Sequence, residues 1–144
     1  MKKFLVAAAL ALSVAACAQG GGGSTWMQAY GPTFPGPKEG EAAVYLLRGE
    51  PGQDASPINV TVDRRELGGL AALTWMRLDL LPDLYDLRAF GPQANTELII
   101  TVTAGQSRFL LVEPKAPGGA QFVEISQAEG RRLVRKGQPV TSGR

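Results

Sequence analysis

The 144-residue sequence has no histidine, a single cysteine and only ten aromatic side chains. Without imidazole there is no His-based acid–base pair, no Ser-His-Asp arrangement, and the commonest metal ligand is missing. One thiol, Cys17, allows no disulfide within the chain, so packing alone must hold the fold. No G-x-x-x-x-G-K-S/T phosphate loop or dinucleotide fingerprint occurs, and no repeat at solenoid periods. Gly105-Gln106-Ser107-Arg108-Phe109 opens like a nucleophile elbow but lacks the closing glycine and a strand-to-helix context. The longest apolar stretch, Phe4 to Ala16, is thirteen residues, short of the roughly 20 that cross a bilayer as a helix. What remains is carboxylate chemistry. Asp79, Asp83 and Asp86 lie near one turn, and a pair about 5–9.5 Å apart supports glycoside hydrolysis. Asp83, however, suits the turn itself, and Asp86 beside Arg88 reads as outward strand decoration, so the chain is expected to be neither an enzyme nor a cofactor binder.

The thirteen apolar residues fit a different role. Lys2 and Lys3 make a basic start, and a core of this length matches a secretory signal. Val14-Ala15-Ala16-Cys17 resembles the lipobox of bacterial lipoproteins. In that family the cysteine sulfur receives diacylglycerol, the chain is cut before it, and the new amine is often acylated. Two or more chains, at about 0.8 kcal/mol per buried CH₂, anchor stably where one is marginal. Residues 1–16 are thus expected as the signal, Cys17 as the lipidation site, and the cell envelope as the location. Ala18 stands where an Asp commonly marks inner-membrane retention, which favours an outer membrane facing the periplasm in a Gram-negative cell. Cleavage removes two of 15 basic residues, leaving 13 against 13 acidic. Such a neutral chain offers no broad footprint for nucleic acid and no polybasic supplement to membrane binding.

Residues 17–41 read as lipidated Cys17 and a tether, because Gly/Ser followed by several Pro and Gly sustains neither helix nor strand. Trp26, Met27, Tyr30 and Phe34 are unusual in a spacer, and docking onto the domain is the expected use, with bilayer or partner contact as alternatives. Residues 42–136 have β texture. Ala42 to Leu47 form an apolar strand. In INVTVD, Ile58, Val60 and Val62 alternate with Asn59, Thr61 and Asp63, which marks a sheet with one wet face. TWMRLDL sets Trp75, Arg77 and Asp79 against Met76, Leu78 and Leu80; LYDLRAF sets Tyr85, Leu87 and Ala89 against Asp86 and Arg88. TELIITVT and SRFLLVE flank Ala104-Gly105-Gln106, expected as a hairpin, and QFVEI is the last strand. About seven short strands predict a mainly β fold, an antiparallel β-sandwich with one short C-terminal helix. Val44, Leu46, Val60, Val62, Leu78, Leu87, Ile100, Val102, Leu111 and Val123 are the expected core. Ser126 and Glu129 match a capping box, Gly130 weakens the helix by about 1 kcal/mol, and Gly137 suits a left-handed stop before Pro139. Residues 137–144 are expected to be a flexible tail.

The segments AVYLLR, INVTVDRRELGGL, LPDLYDLRA, TELIITVTAGQSRFLLVE and FVEISQAEGRRLV follow in order the pattern of a family of short bacterial lipoproteins of unknown function. They also resemble, more distantly, the small prealbumin-like sandwiches. Arg64 and Asp83 stand where that family has turn glycines, and Phe109-Leu110 where it has paired tyrosines. The resemblance implies a sandwich over residues 42–136 and no catalytic residue.

The expected role is a membrane-anchored, non-catalytic envelope accessory that contacts another protein; the alternative is a glycan- or peptidoglycan-binding lipoprotein. The residues proposed for binding are Trp75, Tyr85, Arg131 and Arg132. Trp75 either anchors a partner, or plugs the core, or packs under the final helix. Arg131 and Arg132, with Arg135 and Lys136, either meet an anionic headgroup or glycan or serve the helix end electrostatically. A protein partner calls for an exposed apolar patch, a glycan for exposed rings beside polar groups.

Overall fold

The computed structural model describes residues 34–52 and 54–140. Among the described residues, nine strands and one helix follow in the order β1 Ala42–Leu47, β2 Ile58–Val62, β3 Arg65–Leu70, β4 Thr74–Leu80, β5 Asp83–Phe90, β6 Asn95–Val102, β7 Ser107–Lys115, β8 Gly119–Ile125, α1 Gln127–Lys136 and β9 Gln138–Pro139. The strands form two sheets, β8-β7-β1-β4-β9 and β3-β2-β5-β6, packed as a sandwich. Val44, Leu46, Val60, Val62, Leu78, Leu87, Ile100 and Val102 meet between them, as their alternation implied. Leu111 instead faces outward under the helix side, and Val123 is 38% exposed, so neither belongs to the central core.

The sandwich is not wholly antiparallel. β1 pairs antiparallel with β4 but parallel with β7, and β9 pairs parallel with β4. The expected hairpin at Ala104-Gly105-Gln106 is absent: β6 pairs with β5, while β7 lies between β1 and β8 in the other sheet. The cause is local. The Gly105 amide donates to the Glu41 carbonyl at 2.9 Å, and the Ala43 amide to the Gln106 carbonyl at 2.9 Å. These bonds fasten the turn to the start of β1, and the chain leaves it alongside β1 in the same direction. The Asp63-Arg64 turn does close a hairpin, between β2 and β3. Both residues have positive φ, 46° and 67°, as the two-residue primed turn requires even without glycine.

All of β1 is buried because both of its faces are covered. Its inner residues enter the core. Its outer residues Ala43, Tyr45 and Leu47 join Trp75, Phe109, Leu133 and Val134 in a second cluster beneath α1. Tyr45 and Phe109 stack at 4.7 Å. Phe34, from the segment leading into β1, tilts against both rings at 5.5 and 6.0 Å. Docking is therefore seen for Phe34, while Trp26, Met27 and Tyr30 lie outside the described residues. Arg77 donates to the Gly36 carbonyl and the Tyr45 hydroxyl, each at 3.0 Å, and Lys38 meets Asp79 at 2.9 Å.

The Ser126 hydroxyl accepts from the Glu129 amide and caps α1, the expected half of the box, while the Glu129 carboxylate is held by Arg132. The helix end differs. Gly137 is extended, φ −91°, and the expected tail does not begin there: Gln138–Pro139 add an edge strand and the Val140 amide donates to the Trp75 carbonyl, while residues 141–144 lie outside the described residues. Glycine is needed for space, since a β-carbon at 137 would stand 2.8 Å from the Leu73 carbonyl oxygen.

Candidate functional site

Of the residues singled out in sequence, Cys17 lies outside the described residues. Trp75 is no surface anchor: it is 3% exposed, inclined against Tyr45 at 6.0 Å and covered by α1 and Gly137. Its register partner is Leu47 on doubly covered β1, which forces the indole inside. The indole Nε1 is buried without a hydrogen-bond partner among the described residues. Tyr85 belongs to the other sheet and turns its ring toward the core. Its hydroxyl donates to the Leu81 carbonyl at 2.8 Å, and burial, then Asp83 and Asp63, push it above its ordinary value. Arg131 lies over the Phe34 ring at 5.1 Å and donates to Gln127. Arg132 grips Glu129 through two bonds of 2.9 and 2.6 Å, which hold that carboxyl low. The four residues share no common groove.

The carboxylates also diverge. Asp79 faces the segment before β1. Burial pushes its carboxyl up, but the Lys38 and Arg77 hydrogen bonds together outweigh that and leave it below its ordinary value. Asp86 pairs with Arg88 at 2.7 Å on the outer face of the four-stranded sheet. Asp83 accepts from the Leu84 amide. With Asp79 and Asp86 on opposite sides of the sandwich, they do not flank one substrate.

A cavity of about 530 Å³ lies between Gly49, Glu50, Gly52 and Asp54 on one side and the β7–β8 hairpin on the other. Buried Arg48 floors it, donating to the carbonyls of Ser56, Leu70 and Asp54 at 2.9, 3.1 and 3.2 Å. Burial lowers its pKa, partly offset by Asp54 and Glu113. The guanidinium is spent pinning the loop, and Glu50, Asp54 and Glu113 outnumber the cations in the lining. Among the described residues no group of three His, Cys, Asp or Glu side chains is placed to hold a metal.

The outer face of the four-stranded sheet is different. The five-stranded sheet spends its outer face on α1 and Phe34, but no described element covers this one. β5 presents Leu84, Asp86 and Arg88; β6 presents Glu97, Ile99 and Thr101. Leu84 is opposite Thr101 and Ile99 opposite Asp86, so Leu84 and Ile99 are diagonal neighbours within reach of one another. They are 57% and 49% exposed, and Leu81, just before β5, is 65% exposed. Arg88, bound to Asp86 and 3.6 Å from Glu97, borders this strip. Beyond it a shallow groove of about 340 Å³ runs between Asn59, Thr61, Glu66 and Phe90. The strip is an apolar surface set beside a fixed charge cluster, suited to burying a complementary side chain rather than to bond-making chemistry.

One sequence signal pointed to it. Leu98-Ile99-Ile100 is a run of three apolar residues on a strand whose side chains alternate, so Ile99 points away from the face that Leu98 and Ile100 share. No protein-family model and no curated protein matches this chain.

Proposed function

We propose that this chain is a lipid-anchored protein of the bacterial cell envelope whose β-sandwich is a non-catalytic module that binds another protein through its four-stranded sheet. The observation that carries the binding role is the exposed Leu84–Ile99 strip on a sheet face that no described element covers. Apolar groups left in water at that spacing return about 25 cal/mol per Å² when a partner covers them. The anchor rests on Lys2-Lys3, the thirteen-residue apolar run and Val14-Ala15-Ala16-Cys17. The absence of histidine and the divergence of Asp79 and Asp86 support a non-catalytic role. A protein is the preferred partner over a glycan because Trp75 and Tyr85, the rings a glycan needed, are turned inward.

A photoreactive residue placed at Leu84 or Ile99, in cells of the source organism, tests the binding role. The expected product is a discrete adduct destroyed by protease, formed from both positions and not from Ala128 on the helix. An adduct removed by a muramidase instead restores the glycan reading. Mass spectrometry of the same protein reads the N-terminus, expected at a lipidated Cys17.

A further inference from the structure

Residues two apart on a strand share a face, so Leu84, Asp86, Arg88 and Phe90 run in a line along the uncovered side of the four-stranded sheet. From Leu84 to Phe90 that line is about 20 Å long. The apolar strip lies at its Leu84 end and the shallow groove at its Phe90 end. Strand register sets the walls of the groove. Phe90 is opposite Asn59, and Thr61 stands between Arg88 on β5 and Glu66 on β3. The pairing of β2 with β3 slips between Val60 and Thr61, and Gly68 beside the slip has a φ of 116°. Such a bulge bends the strand locally, and a glycine there adds no side chain to fill the groove.

The groove is rich in acceptors that nothing answers. Glu66 is exposed, and its carboxylate has no hydrogen bond or ion pair among the described residues. Arg65 beside it points to the other face of the strand. Arg88 is the one cation that β2, β3, β5 and β6 place on this face among the described residues, and Asp86 and Glu97 hold it. Thr61 is only 8% exposed, and its hydroxyl is buried without a partner among the described residues. A buried hydroxyl left unpaired is costly, and a donor brought to the floor of the groove relieves it. The half-exposed Phe90 ring adds the negative face of its quadrupole.

We propose that this groove takes an arginine side chain of the partner protein, its guanidinium against the Phe90 ring and bonded to Glu66, with Asn59 and Thr61 accepting its further N–H groups. This rests on the proposed role of the sheet face in binding a protein. Arginine is the cation that both stacks on a ring and offers a carboxylate a planar fork of donors. An anionic ligand would meet Glu66 unfavourably, and a neutral sugar would leave that carboxylate unanswered. The partner therefore presents an apolar side chain for the Leu84–Ile99 strip and an arginine about 20 Å away from it.

The test uses the full lipidated chain in detergent micelles, with isotope-labelled threonine and isoleucine methyl groups read by NMR. The probe is N-acetylarginine methylamide, and the control is N-acetylcitrulline methylamide, which keeps the shape and loses the charge. The Thr61 methyl should shift saturably with the arginine probe and bind the citrulline one about tenfold more weakly, as expected when a charge-assisted bond becomes a neutral one. The Ile99 methyl should stay in place. Glu66→Gln should weaken the arginine probe to a similar degree. Asn59→Asp, which adds a second carboxylate at an exposed position, should tighten it, a gain that no folding defect imitates. Equal affinity for the two probes, or no shift at Thr61, overturns the inference. A Thr61 shift with N-acetylglucosamine in place of arginine overturns it in favour of a sugar site. In cells, Glu66→Gln should reduce the photocrosslink formed from Leu84. An undiminished crosslink overturns the arginine contact and leaves the binding role standing, whereas no crosslink from the parent chain removes the binding role and the inference with it.

Discussion

Gly130 lies so close over Phe109 that a β-carbon at residue 130 would stand 2.2 Å from the ring. A helix interior normally favours alanine over glycine by about 1 kcal/mol, but here the ring is buried and stacked on Tyr45 and cannot retreat. Overpacking of this kind costs about 1–3 kcal/mol. Gly130→Ala is expected to lower the urea midpoint at unchanged slope. A raised midpoint would show that helix propensity dominates.

Arg64 carries a φ of 67° in the β2–β3 turn, a region that costs a non-glycine residue roughly 1–2 kcal/mol. Arg64→Gly should raise the melting temperature, with a gain of about 1 kcal/mol. Asp63 shares the positive φ, but its carboxylate accepts from the Asp86 amide at 2.9 Å. Asp63→Gly should therefore gain less than Arg64→Gly, and calorimetry of the pair reads the order directly.

Trp75 and Leu84 separate stability from binding. Trp75→Ala empties a site beneath α1 and should cost about 3–5 kcal/mol. Leu84→Asp alters an exposed position and should cost under about 1 kcal/mol, while removing the crosslink to a partner formed from Ile99. Chemical denaturation of both variants settles the contrast, and the reverse order would place the working surface on the wrong sheet.

Acid should loosen the segment before β1. Asp79 is held below its ordinary value of 3.8 by Lys38 and Arg77 in spite of its burial. A depressed carboxyl contributes stability above its unfolded value and loses it as pH falls through the folded one. Glu124, held down first by its bond from Arg108, behaves alike from 4.5 downward. Asp79→Asn should destabilise the protein more at pH 7 than at about pH 2. Melting curves at the two pH values test this, and a constant difference would exclude the ion pairs as its source.

Much of the fold was legible because alternation is a property of neighbouring residues. INVTVD, TWMRLDL and LYDLRAF each declare a strand and its two faces without reference to the rest of the chain. The partner of each strand is a longer-range matter. Nothing within Ala104-Gly105-Gln106 distinguishes a hairpin from a turn fastened to Glu41 and Ala43, far upstream in the chain. Gly130 and Gly137 were read through backbone propensity, whereas space against Phe109 and Leu73 is what requires them. The fate of Trp75 was written elsewhere: Ala42–Leu47 holds no charged residue, a strand covered on both faces, and whatever lies beside it on the outer side is covered too. The exposed strip was harder to see because exposure of one leucine is ordinary, and only the β5–β6 register brings Leu84 next to Ile99.

β1 receives the incoming chain and is hydrogen-bonded along both flanks, to β4 and to β7. Tension applied at Phe34 must first lift that ring from Tyr45 and Phe109 and part Lys38 from Asp79. It then loads the middle of the layer in shear, where the bonds to two neighbours resist together, instead of peeling a marginal strand one bond at a time. A pull from that end thus strains both neighbouring strands together before it frees either.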